Sequence, residues 1–400
     1  MLAASPVVLS LLSLATVSTA LHHQSVQTPA HLLAKRRTDY RRSLLQGQLT
    51  VGNLLNVSVT AVDQPLLSSN SSKTATPTNR STCFPLHSEG FKDGKVPNMS
   101  RQDWWCQDRF SYPLEIADCS DPSNLYPKIS RDLGRMKSEF GATFVRPYGV
   151  ECRDVSIWEN LVKACIEHGM ALIVQVWWGF QSDQTLWTKS QESIYELFET
   201  SSYRTLAPYV VYSASFGSEP IGDWVDGDNF VQDLTTFRSK MNSYGIPVGI
   251  SEDWDRPDRM KQGDQVAGIG AQVLETTDVA QLHVMPYYHL DQVPYADGAW
   301  EYTRQQVQWA RKALKQPTMI TESMWSSQQG GSHGRGAHDE ESTIANYNSY
   351  WDSFASNCKF FKEQQTGWFV HTFDDSMEPY FGMVDWNGTT KINGWKPERC

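Results

Sequence analysis

From residue 143 to residue 373 the chain repeats a single alternation. A short apolar run rich in β-branched and aromatic residues is followed by a segment whose apolar residues recur at helical spacing. Residues 143–149 (TFVRPYG) read as a strand. In Val155–His168, Trp158, Leu161, Val162, Cys165 and Ile166 share one helical face, and Gly169 suits a C-cap. Strands are then expected over 171–177, 209–216, 247–251, 282–286, 319–322 and 367–373. Helices are expected over 191–201, 230–244, 265–276, 302–316 and 341–357. An eighth strand, 112–116, is expected ahead of a helix over 125–140. Eight strands in strict alternation with helices need parallel connections, so the expected fold is α/β, a (β/α)8 TIM barrel forming a single catalytic domain. A doubly wound open sheet would usually carry a Gly-rich phosphate loop after its first strand, and no GxGxxG stands there.

The repeating region does not begin at residue 1. Residues 1–20 contain an apolar stretch followed by Ser18, Thr19 and Ala20, as a secretory signal peptide does. Residues 21–82 carry the basic groups Lys35-Arg36-Arg37 and Arg41-Arg42, then a stretch rich in Ser, Thr and Asn. They read as a pro-segment and linker, with a solvated basic tail as the other reading. Residues 83–400 form the expected barrel domain. Five Asn-x-Ser/Thr sites (Asn56, Asn70, Asn79, Asn98 and Asn387) fit an exported, wall-associated or extracellular protein. Seven cysteines are an odd number, which leaves at least one thiol free or bonded between chains. A net charge of −10 argues against a nucleic-acid partner. No second long apolar run suggests a membrane span, and a monomer is expected.

Two glutamates stand just past strand-like runs: Glu219 in YVVYSASFGSEP and Glu322 in TMITESMWSS. Carboxylates at the C-terminal ends of barrel strands are where such folds put chemistry. Two on separate strands suggest a facing pair, the arrangement that glycosidic bond cleavage requires. A lone glutamate would more simply be a surface or ion-paired residue; two at matched strand ends beside aromatics favour a site. Tyr148, Trp177, Trp178, Tyr287, Tyr288 and Trp325 sit near strand ends and could stack against pyranose rings. Trp177 could equally fill the top layer of the barrel. Arg146, inside a strand, needs a carboxylate partner, either to orient a catalytic glutamate or as a structural pair. Glu252, Asp253 and Asp255 end the fifth strand and could contact sugar or lie in a solvated loop. His333 and His338 sit in a Gly-rich segment better read as a cleft-lining loop than as metal ligands, so no metal and no cofactor is expected.

The words FVRPYG, QVWWGF, SFGSEP, VMPYY, TESMWSS and HTFDDSMEPYFGMVDW occur in one order over roughly residues 110–390. This pattern resembles glycoside hydrolase family 17, which contains β-1,3-glucanases and fungal wall glucanosyltransferases. The resemblance implies that Glu219 is the general acid/base and Glu322 the nucleophile of a retaining double displacement on β-1,3-glucan. It also implies that Tyr288 and Trp325 contact the polysaccharide or oligosaccharide, with Asp375 as the acidic residue after the eighth strand; Tyr148 and Trp178 are candidate contacts by their strand-end position, and the Ser218 hydroxyl could bond the sugar. Ser218 departs from the pattern, since many relatives carry Asn before the acid/base. So does the stretch between Lys362 and Lys391, where no lysine stands. These departures keep open a non-catalytic carbohydrate-binding wall protein, or a relative acting on another β-glycan.

Overall fold

The computed structural model describes residues 114–117, 125–148, 153–179, 185–223, 229–330, 339–376, 378–392 and 394–397. The expected signal peptide, pro-segment and linker, four of the five glycosylation sites, and His333 and His338 lie outside the described residues.

Eight strands form one sheet: β1 (Leu114–Ala117), β2 (Phe144–Tyr148), β3 (Ala171–Val176), β4 (Val211–Ser218), β5 (Val248–Glu252), β6 (Ala280–His283), β7 (Thr318–Glu322) and β8 (Thr366–Trp368). They lie side by side in sequence order, and every pairing is parallel. Each step from one strand to the next passes through helix: α1 (Tyr126–Phe140), α2 (Val155–His168), α3 (Thr185–Glu199), α4 (Phe230–Ser243), α5 (Ile269–Thr276), α6 (Ala299–Leu314), then α7 (Ile344–Ser356) with α8 (Cys358–Gln364). Strands β3, β4, β5, β6 and β7 are buried along their whole length, as parallel strands covered by crossover helices must be.

The sheet is strongly curled. Arg146 on β2 donates to Glu322 at the end of β7 at 3.3 Å. In a flat sheet those strands, five positions apart, would stand roughly 24 Å from each other at ordinary strand spacing. No side chain bridges that gap, so the sheet must bring its two halves face to face.

Helix α2 illustrates how local sequence sets these elements. Asp154 caps its start by accepting from the Ser156 N–H at 2.8 Å. Gly169 closes it in the left-handed conformation at φ 64°. Between them Trp158, Leu161, Val162 and Cys165 are buried, each large apolar side chain contributing about 1.5–3 kcal/mol on leaving water. The Trp158 indole N–H donates to Ser193 Oγ at 2.9 Å, tying α2 to α3. Asp154→Ala is expected to cost about 1 kcal/mol. Thermal unfolding would show this as a drop of roughly 2–4 °C, and an unchanged midpoint would mean the cap is idle. Cys165 is a free thiol, and burial pushes its pKa up and away from reactivity.

Three expectations are corrected. The helix expected over 265–276 begins only at Ile269, because a two-residue hairpin (Lys261–Gln262 against Gln265–Val266) precedes it. Gly268 separates the two at φ 56°, and a Cβ there would meet the Arg259 carbonyl oxygen at 2.8 Å. Strand β6 stops at His283, and Pro286, which has no N–H for the ladder, opens a 3-10 turn over Pro286–Tyr288. The eighth strand is three residues long rather than seven. Its last residue, Trp368, stacks with Trp351 of α7 at 6.2 Å, and Trp395 closes over both.

Candidate active site

The C-terminal ends of β2, β4, β5, β6 and β7 converge on one polar cluster. Glu322 ends β7 with its side chain 5 % exposed. Both terminal nitrogens of the fully buried Arg146 donate to Glu322 Oε1, each at 3.3 Å. Ser218 Oγ donates to the same oxygen at 3.2 Å. A guanidinium this deep is tolerable only with a carboxylate beside it, so the two charges answer each other's desolvation. Arg146 therefore partners a strand-end glutamate, and Ser218 joins it in holding that group.

Glu219 follows β4 directly, with φ at 50° and its side chain 17 % exposed. Its backbone N–H donates to the Ser251 carbonyl at 2.7 Å. Just before it Gly217, at φ 94°, lies so close to Pro220 that a Cβ would meet the ring at 2.7 Å. Just after it, the buried Glu252 accepts from the Ile221 and Gly222 N–H groups at 2.7 and 3.2 Å. The turn that presents Glu219 is thus clamped from both sides. Glu252, which the sequence left between sugar contact and solvated loop, is a buried support; burial, offset in part by Arg256, raises its pKa.

His283, at the end of β6, stands between the two glutamates. Its Nδ1 lies 3.1 Å from Glu219 Oε1, and its Nε2 lies 3.2 Å from Glu322 Oε1 and 2.6 Å from Ser251 Oγ. Neither His283 nor Ser251 was anticipated as a site residue. The only sequence signal was a polar residue inside each of two strand-like runs, and polar residues in strands are common.

The remaining expected contacts fall in several places. Tyr288 is half-buried in the turn after β6, its ring edge-on to the buried Tyr287 at 5.1 Å. Trp178 is 8 % exposed and gives its indole N–H to Asp233 of α4 at 3.0 Å. Trp325 has no exposed surface: it is wedged between Tyr287 and Tyr350, and its N–H donates to the Glu341 carbonyl. Its ring fills the apolar seam between β7 and α7. The side chain of Tyr148 lies outside the described residues. Asp375 is buried and bonded to Lys391 Nζ at 2.6 Å and to the Gly382 N–H at 2.9 Å. The lysine absent from the local sequence arrives from sixteen residues downstream.

Asp253, Asp255 and His289 each offer an atom within 4.8 Å of the others, the one such grouping among the described residues that could hold a metal ion. The two carboxyls lie close enough to perturb each other. Burial and the neighbouring Asp255 push Asp253 well above the usual carboxylate range. Burial also acts on Asp255, but the neighbouring Asp253, His289 and the Tyr302 hydroxyl hold it below its ordinary value. A carboxyl whose pKa is raised by folding contributes stability below its ordinary value of 3.8 and loses it as pH rises through the folded value. Asp253→Asn is therefore expected to gain on the wild type in thermal midpoint between pH 4 and pH 8. Parallel pH dependence of the two proteins would sink this assignment.

The family model for the BtgE/BtgC glycoside hydrolase domain matches residues 114–382. The chain belongs to this family and carries a glycoside hydrolase domain. This corrects the resemblance to glycoside hydrolase family 17. The quoted words are strand-end words, and barrel-like glycosidases of separate families need acids and aromatics at the same strand ends. Solved structures resemble the chain more distantly. A Parabacteroides merdae β-glucuronidase has a TM-score of 0.48 and 11 % identity, covering 72 % of this chain and 36 % of its own. A Ruminococcus gnavus β-glucuronidase has a TM-score of 0.49 and 14 % identity, over 72 % and 49 %. A Dictyoglomus thermophilum β-D-glucuronidase has a TM-score of 0.49 and 13 % identity, over 72 % and 50 %. The chain thus spans half or less of the length of these enzymes. No curated protein matches it. No helix among the described residues is long and apolar enough to cross a membrane.

Proposed function

We propose that this chain is a retaining β-glycosidase or transglycosylase, with Glu219 as general acid/base and Glu322 as nucleophile on a curled sheet that closes into a (β/α)8 barrel. The observation that carries the reading is the convergence of the two glutamates, from β4 and β7, on the His283 ring. Their surroundings divide the roles. Glu322 is deep, held by several hydrogen bonds and charge-compensated by Arg146, as a carboxylate that must attack needs to be. Glu219 is the more exposed of the two and can reach a departing oxygen.

The steps balance. A Glu322 oxygen bonds to the anomeric carbon while the glycosidic C–O bond breaks, and Glu219 gives its proton to the leaving oxygen. Glu219 then takes a proton from water or a sugar hydroxyl, whose oxygen bonds to the anomeric carbon and frees Glu322. Water yields hydrolysis and a sugar hydroxyl yields transfer.

The substrate we favour is a neutral β-glucan, with β-1,3-glucan of a cell wall first, acted on by an exported protein. Around the site Arg146, Arg256 and Lys391 are each paired with a carboxylate of the protein. A uronate would bring another negative charge to a chain with net charge −10. The test is product analysis on labelled β-1,3-, β-1,4- and β-1,6-gluco-oligosaccharides, with wild type beside Glu322→Gln. Shortened or lengthened β-1,3 products from wild type alone support the reading. Turnover of another linkage only would replace the substrate, and equal turnover by the variant would remove Glu322 from the mechanism.

A further inference from the structure

His283 is held by more than the two glutamates, and counting hydrogens along that hold fixes which ring nitrogen carries one. Thr321 Oγ1 donates to the Leu282 carbonyl at 3.2 Å, so its single hydrogen is used. Its 2.7 Å contact with Ser251 Oγ must then be one it accepts, which uses the hydrogen of Ser251. Ser251 Oγ keeps two acceptor positions. Arg146 fills one at 3.1 Å. The other faces His283 Nε2 at 2.6 Å, so that nitrogen must be the donor. Charge agrees with the count. A bare Nε2 lone pair would face the Glu322 carboxylate oxygen at 3.2 Å, where an N–H is attracted and a lone pair is repelled.

With the hydrogen committed to Nε2, Nδ1 is left for Glu219 Oε1 at 3.1 Å. We infer that Ser251 and Thr321 form a hydroxyl relay that fixes the His283 tautomer, so that Nδ1 holds the exchangeable proton of Glu219 and orients its carboxyl. The inference rests on Glu219 being the acid/base. Ser251 and Thr321 are positioning residues that act through His283 and lie one contact away from the Glu219 carboxyl. In the first chemical step the proton leaves the Glu219–Nδ1 pair for the departing oxygen. In the second, the proton removed from water or the acceptor hydroxyl returns to that pair. Glu252, Arg146 and Glu322 also face this cluster, and each is engaged with partners of its own.

The test uses two readouts on the full chain. ¹⁵N-histidine spectra, assigned by difference against His283→Asn, report the tautomer without any need for activity. The expected wild-type signal has Nε2 protonated. Thr321→Val frees the Ser251 hydrogen to point at Nε2 and is expected to move the ring to the Nδ1–H form. The second readout is leaving-group dependence, measured on an unactivated gluco-oligosaccharide and on its 2,4-dinitrophenyl glycoside. Ser251→Ala and Thr321→Val are each expected to lose about tenfold or more on the first and much less on the second, because only the first needs proton donation. A purely structural role would lower both equally and overturn the inference. Nδ1–H in the wild type would overturn it as well. Full activity of Glu219→Gln would instead remove the catalytic reading, while the spectra still decide whether the relay sets the tautomer.

Discussion

Glu322→Gln is expected to lower kcat on the order of 10⁴-fold while leaving the protein folded. The amide keeps an oxygen for Arg146 and Ser218, which now surround Oε1 at 3.2 to 3.3 Å, but it cannot form the glycosyl ester. Glu219→Gln should behave differently. It removes proton donation, so its loss should be large on an unactivated glycan and small on a 2,4-dinitrophenyl glycoside. Steady-state kinetics on both substrates distinguishes the two residues. Identical profiles for the two variants would defeat the division of roles. Unfolding of Glu322→Gln, seen by circular dichroism, would mean that Arg146 needs the charge itself for stability, and Glu322→Asp would then be the variant to assay.

Lys391→Met is expected to cost about 3–5 kcal/mol, the penalty of leaving a buried carboxylate alone. Asp375 is 1 % exposed, and Lys391 is its charged partner at 2.6 Å. Burial raises the Asp375 pKa and lowers that of Lys391, so each pulls against its ionised form and the pair depends on mutual contact. Lys391 also donates to Ser327 Oγ at 2.9 Å and lies over the Tyr347 ring at 5.6 Å. It thereby pins the C-terminal segment to the ends of β7 and β8. Chemical denaturation should show the loss, and the double variant Asp375→Leu/Lys391→Met should recover much of it. A single variant as stable as the wild type would show that the pair is solvated and dispensable. Asp375 is thus engaged within the protein, by Lys391 and by the Gly382 N–H.

The alternation of strand and helix was readable without coordinates because it is written in local periodicity. The helix over Val155–His168 has the bounds its sequence predicts, since one apolar face and a C-capping glycine belong to that segment alone. The hairpin at Lys261–Gln262 and Gln265–Val266 escaped, because four residues cannot display a period and Gly268 could be read as a helical position. The family was misread for a related reason: short strand-end words record what a site needs, and different families share that need. Glu219 and Glu322 were visible as strand-end acids. Arg146 was visible as a buried charge in want of a partner. The identity of that partner was not, because β2 and β7 meet only when the sheet curls.

Trp325 and Asp375 show the limit from the other side, since both stand where a site residue would stand and both are buried in contacts made by distant chain. His283 and Ser251 show it most sharply. Local sequence determines that they lie in strands, but a hydrogen-bond circuit joining β2, β4, β5, β6 and β7 has no sequence period at all. Sequence by itself set the succession of strands and helices and the two acids at their ends. Tertiary structure alone decided which groups those acids meet, because side-chain directions at neighbouring strand ends become mutual distances only once the sheet has a curvature.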